Sequence, residues 1–119
     1  MTVHDRPTAA ELVAAVREYL ERDVMPGTEG RIAFHARVAA NVLGMVEREL
    51  ELGPGQDGEE RARLAALLGH DGTVRELTDE LARSIRDGSL AASWEDAVAV
   101  VRASVRAKLE VANPRYLDA

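Results

Sequence analysis

The side chains of this sequence that could do chemistry are densest between Gly30 and Gly53, where Arg31, His35, Arg37 and Asn41 stand among small and branched apolar residues. A histidine in such a setting can serve as a general base, and an arginine can clamp a phosphate or carboxylate bidentately. Within the same run Phe34, Arg37, Asn41, Met45 and Arg48 recur at i, i+3, i+7, i+11 and i+14, one face of a helix. An aromatic, arginines and a methionine are residue types that interfaces favour. Two readings follow. The face meets a partner or ligand, or it is a bundle seam in which Phe34 and Met45 pack inside while the arginines snorkel. Arg115 and Tyr116, in the run Asn113-Pro-Arg-Tyr-Leu117, again join an arginine to an aromatic. That run either folds back on the body or docks elsewhere.

Other chemistries find little support. Of the three histidines, His4 lies in a tail, His35 in the long run and His70 in a turn, and no His-Glu-x-x-His or Glu-x-x-His pair occurs. Glu47 and Glu51 share a helix face without a histidine, so no metal site is expected. Pro26-Gly-Thr-Glu-Gly30 precedes a helix whose N-terminus could hold an anion, but no lysine follows the glycines as a phosphate loop requires. No protein-kinase catalytic-loop or metal-binding aspartate motif is present. Ser84, Ser89, Ser93 and Ser104 lack a nucleophile elbow. The sequence therefore predicts no catalytic residue and no cofactor bound by this chain.

The elements that must position these residues are helices. The chain has 119 residues, 46% of them hydrophobic but only 3% aromatic, so its core is built from Leu, Val and Ala. That composition suits close-packed helices better than a sheet. The net charge of −6 argues against a nucleic-acid binder. Residues 47–60 hold six acids against Arg48 alone, a solvated turn or a docking point for a basic partner. Cysteine is absent, which excludes disulfides and thiolate chemistry. No apolar run approaches the ~20 residues of a membrane span, and Met1–Pro7 lacks an apolar signal core, so a soluble cytoplasmic protein is expected.

Thr8 and Glu11 have capping-box spacing and open a first helix that runs to about Asp23, with Pro26-Gly27 as its break. The long second helix starts near Thr28 or Glu29 and stops before Gly53-Pro54-Gly55; Gly44 inside it offers close approach to a neighbour. A short third helix follows, capped by Asp57 and Glu60 and closed at Gly69. Thr73 and Glu76 cap a fourth, with Val74, Leu77, Leu81 and Ile85 as its stripe and Gly88 at its end. Ser93 opens the last, with Trp94, Val98, Val101, Val105, Leu109 and Ala112 along one face, ended by Asn113-Pro114. No stretch alternates with period two. The expected fold is all-α, a single domain over residues 1–119, a compact bundle of four to five antiparallel helices joined by short connections.

Several runs carry a resemblance over nearly the whole chain: Arg6-Pro-Thr-Ala-Ala-Glu-Leu12, Gly30-Arg-Ile-Ala-Phe-His-Ala-Arg-Val-Ala-Ala-Asn41, Glu47-Arg-Glu-Leu-Glu-Leu-Gly53, Ile85-Arg-Asp-Gly88, and the ending from Lys108-Leu109 to Asn113-Pro-Arg-Tyr116. With these runs the chain resembles a group of small bacterial helical proteins designated only as a domain of unknown function. Members of that group resemble the small accessory subunit of bacterial 4-hydroxyacyl-CoA kinases, as in levulinate catabolism. The large subunit of those kinases resembles aminoglycoside phosphotransferases. The resemblance implies a chain that binds and supports such a kinase, with ATP and Mg on the partner, and it supplies no catalytic motif to carry over. Arg31, His35, Arg37 and Asn41 would then meet the kinase or complete its acyl-CoA pocket. The alternatives are an acyl-CoA-binding helical protein with His35 as base, or a homo-oligomer that sets the same helix face against itself.

Overall fold

The computed structural model describes residues 6–118, so His4 lies outside the described residues. Every regular element among them is helical, and the fold is all-α. Helix α1 spans Ala9–Tyr19. Its start is the expected capping box: the Thr8 hydroxyl accepts from the Glu11 N–H at 3.1 Å, and the Glu11 carboxylate accepts from the Thr8 N–H at 3.1 Å.

The break expected at Pro26-Gly27 comes later. A π-helical turn, Leu20–Val24, continues α1 and leads into the single α-turn α2, Met25–Gly27, which contains Pro26. Proline has no N–H and its ring crowds the carbonyl four residues back. In the wider turn the Met25 N–H donates to the Leu20 carbonyl, five residues back, and the shifted ladder accommodates the proline. The helical run ends at Thr28, whose backbone is extended and whose hydroxyl donates to the Val24 carbonyl at 2.5 Å.

Helix α3, Gly30–Leu68, overturns the expected division of this region into two helices. Gly30 begins it with φ +62°, a left-handed conformation that favours glycine. It continues without a break through Gly53-Pro54-Gly55, and Asp57 is no N-cap. Local propensity called for a stop there. Tertiary contacts override it: Gln56 donates to the Ala107 carbonyl at 2.9 Å, Ser104 donates to the Glu60 carboxylate, and Leu64 is fully buried.

The chain divides into two compact units at Gly53 and Pro54. In the first, α1 lies antiparallel to the beginning of α3. Arg17 bridges Glu21 at 2.7 Å and Glu47 at 2.8 Å, and these carboxylates, Glu47 foremost, hold its charge firmly in place. Its side chain crosses Gly44, where a Cβ would stand 3.9 Å from Arg17 Cδ. Gly44 thus admits a neighbouring side chain rather than a helix backbone.

The second unit holds the larger core. Helix α4, Val74–Asp87, is capped by the expected Thr73–Glu76 box and ends at Gly88 with φ +81°. A 3-10 turn, Ala91–Ser93, precedes helix α5, Trp94–Ala112, and Ser93 makes no side-chain cap. Leu64, Leu77, Leu81 and Val100 form the core, with Leu64 and Leu77 no more than 1% exposed. Burying a leucine this completely contributes about 2 kcal/mol. From Gln56 with Ala107, through Glu60 with Ser104, to Leu64 with Val100, contacts climb α3 as they descend α5, so these two segments run antiparallel.

The predicted stripe of α5 is corrected. Trp94, Val101 and Val105 are 51, 39 and 51% exposed, whereas Ala97 and Val100 are buried. The buried face carries small residues and Ser104. These bring α5 close to α3, and a stripe of the largest residues misses them.

Candidate partner-binding site

The long helix decides which of the suspected residues act together. At about 100° per residue, Phe34, Arg37, Asn41, Met45 and Arg48 fall within about 80° of one another. Arg31 and His35 point elsewhere, about 80° and 120° from the centre of that face. The dense set in sequence therefore separates into two groups, and His35 does not face Asn41 or Arg37. No carboxylate among the described residues hydrogen-bonds His35. Its ring contact is edge-on to Phe34, with centroids 5.5 Å apart and planes at 73°.

Phe34 is 62% exposed. Arg31, His35, Arg37 and Asn41 are exposed as well, whereas Met45 and Arg48 are half-buried. The Arg48 guanidinium lies over Gly44, 3.5 Å from where a Cβ would be. Arg115 and Tyr116 belong to the second unit, in the 3-10 segment Pro114–Asp118 that follows α5. Tyr116 is 67% exposed, and its N–H donates to the Asn113 carbonyl at 3.1 Å.

Phe34 and Arg37 border a hollow of about 550 Å³, walled also by Glu21, Met25, Pro26, Gly30 and Ala33. The π turn and the left-handed Gly30 shape it, by setting where α1 hands over to α3. Sequence reasoning missed this hollow. Its one signal in the sequence is Pro26 close to Gly30, which presents itself there as a break between helices.

A second polar cluster also escaped the sequence reading. His70 Nδ1–H donates to the Asp71 carbonyl at 3.0 Å, and Nε2–H donates to the Glu80 carboxylate at 2.8 Å. Both ring nitrogens face acceptors, which stabilises the imidazolium relative to the neutral ring. The Asp71 carbonyl first, then Glu80, hold its pKa above the usual imidazole range. Arg61 grips both Asp71 oxygens at 2.9 Å and lowers that carboxyl. Arg61, His70 and Asp71 are exposed, Glu80 is half-buried, and all four are already paired, so they fasten the connection between α3 and α4. No group of three or more metal-ligating side chains converges among the described residues. No helix there is long and apolar enough to cross a membrane.

Along α3 the geometry offers an exposed surface and a shallow hollow. Residues 26–116 match a family model described as Domain of unknown function (DUF6285). The matched span begins at Pro26, so α1 lies outside it. No curated protein and no solved structure matches the chain.

Proposed function

The chain belongs to the DUF6285 family, and we propose that it acts as a noncatalytic accessory subunit, docking on and supporting a kinase that resembles aminoglycoside phosphotransferases and phosphorylates hydroxyacyl-CoA in short-chain acid catabolism. The observation that carries the docking role is Phe34, 62% exposed beside an open hollow with Arg37 on its rim. A large aromatic held out of its own unit next to an arginine is the composition of an interface anchor. The kinase identity rests on the sequence resemblance described above. In this reading Phe34 enters a cleft of the kinase. Arg37 and Asn41 meet carboxylate or phosphate groups of the kinase or of its acyl-CoA. ATP and Mg stay with the partner.

Co-expression with the kinase tests the reading. The two chains are expected to co-purify, and phosphorylation of hydroxyacyl-CoA is expected to collapse when this chain is withheld. A kinase that turns over equally well alone overturns the accessory role. Arg37→Ala is expected to keep the helical circular dichroism of the isolated chain and to weaken kinase binding by about 1–2 kcal/mol, roughly tenfold. Unchanged affinity and activity in Arg37→Ala and Phe34→Ala would remove this face from the reading.

A further inference from the structure

The first unit has a second exposed face, aliphatic apart from His35, which the helix places within it. On α3, Ile32, Val42, Val46 and Leu50 are 57, 48, 36 and 41% exposed, and α1 adds Leu12 and Val16 at 55 and 51%. The four α3 residues lie within about 80° of one another, centred about 140° from the Phe34–Arg48 face. The two stripes are on one side of the α1–α3 pair. Its opposite flank is marked by the hollow, where Glu21 and Met25 of the first helical run face Ala33 and Arg37 of α3. In antiparallel neighbours, residues turned away from that flank emerge together on the other side. Beneath them this unit buries only Ala36 and Ala40 among its described residues. A layer of two helices has to cover such a face with another layer.

We propose that the covering layer is a second copy of this chain, with α3 packed antiparallel on α3 about a two-fold axis near residues 40–41. The pattern of the helix is self-complementary for that arrangement. Ile32 and Leu50 are eighteen residues apart, about five full turns, and so are Arg31 and Glu49. Each pair therefore shares one side of the helix. A two-fold axis at the midpoint sets Ile32 level with Leu50 of the second copy, and Arg31 with Glu49 of the second copy, at both ends of the contact. Arg31 and Glu49 stand on the rim away from α1, and neither forms an ion pair among the described residues. Ala39 lies beside the crossing point, small enough for the two helices to approach closely. A base at one end of the stripe and an acid at the other favour the same stripe reversed over an unrelated partner. The kinase-docking face lies on another side of α3 and stays open in this dimer.

Sedimentation equilibrium of the full chain tests the proposal. The expected mass is twice the 12.9 kDa of one chain. Val42→Glu is expected to yield a monomer with unchanged helical circular dichroism. Arg31→Glu and Glu49→Arg are each expected to weaken the dimer about tenfold, by setting like charges together at both ends. The double reversal is expected to return to within about threefold of the natural chain. A chain that remains monomeric at high micromolar concentration, or that pairs only with the kinase through this face, overturns the proposal. So does a dimer indifferent to Val42→Glu, or one in which the two charge reversals simply add.

Discussion

Replacing Pro54 with alanine separates the continuous helix from the two-helix division that local propensity favours. Pro54 lies inside α3, where it leaves the Leu50 carbonyl without its i+4 donor and crowds it with the ring. A proline in a helix interior costs about 3 kcal/mol relative to alanine. This residue is exposed, so water can solvate the freed carbonyl and the helix can bend away from it, which leaves about 2–3 kcal/mol to be regained. At about 4 °C per kcal/mol for a chain of this size, the melting temperature should rise by about 8–12 °C. Gly55→Ala and Gly58→Ala should each add about 1 kcal/mol, because a Cβ at either position meets nothing within 4 Å. Urea unfolding followed by far-ultraviolet circular dichroism reads these gains as a higher midpoint at unchanged slope. If residues 53–55 formed a turn instead, Pro54→Ala would lose a pre-set φ and destabilise the chain by about 0.5–1 kcal/mol. A drop in midpoint for Pro54→Ala therefore refutes the 39-residue helix.

The core of the second unit makes a paired prediction. Leu64→Ala should cost about 3 kcal/mol through the cavity it leaves, whereas Val101→Ala, at a site 39% exposed, should cost less than about 1 kcal/mol; equal losses would reverse the assignment of faces on α5. His70 gives a pH dependence with a definite sign. Its folded pKa is raised, so its stabilisation is complete below the ordinary value near 6.5 and disappears as pH rises through the folded value. The stability difference between the natural chain and His70→Gln should therefore shrink as pH rises above about 6.5, with the His70 ring resonances in NMR titrating above the usual imidazole range. A gap that widens with pH would contradict the two donated bonds.

Signals that act within one turn were readable from the residues. Thr8 with Glu11 and Thr73 with Glu76 formed their capping boxes, and Gly69 and Gly88 adopted the left-handed conformations that end helices, with φ +84° and +81°. Each satisfies orphan backbone groups with atoms three or four residues away, so no tertiary partner is needed to make it work. Gly53-Pro54-Gly55 failed as a stop for the converse reason. Its cost of a few kcal/mol is local, and what offsets it comes from α5, about fifty residues further along the chain. The α5 stripe failed through size. Counting large residues selects Trp94, Val101 and Val105, but the distance between two helices is set by the smallest residues between them, here Ala97 and the Ser104 hydroxyl on Glu60.

The site was legible as a list of residues and not as an arrangement. Arg31, His35, Arg37 and Asn41 look like one cluster because they are near in sequence. A straight helix spreads them around more than a third of its circumference. That geometry parts His35 from Arg37 and Asn41 and leaves it beside Arg31, one turn earlier on the helix. It leaves two faces with different chemistry: the polar-aromatic side of Phe34 and Arg37, and the aliphatic side of Ile32, Val42 and Leu50. A helix that presents one anchor-bearing face and one aliphatic face, in a unit with two small buried residues among those described, suits the two proposed contacts. Under the proposed function the chemistry belongs to the kinase bound at the first face, and under the proposed dimer the second copy covers the other.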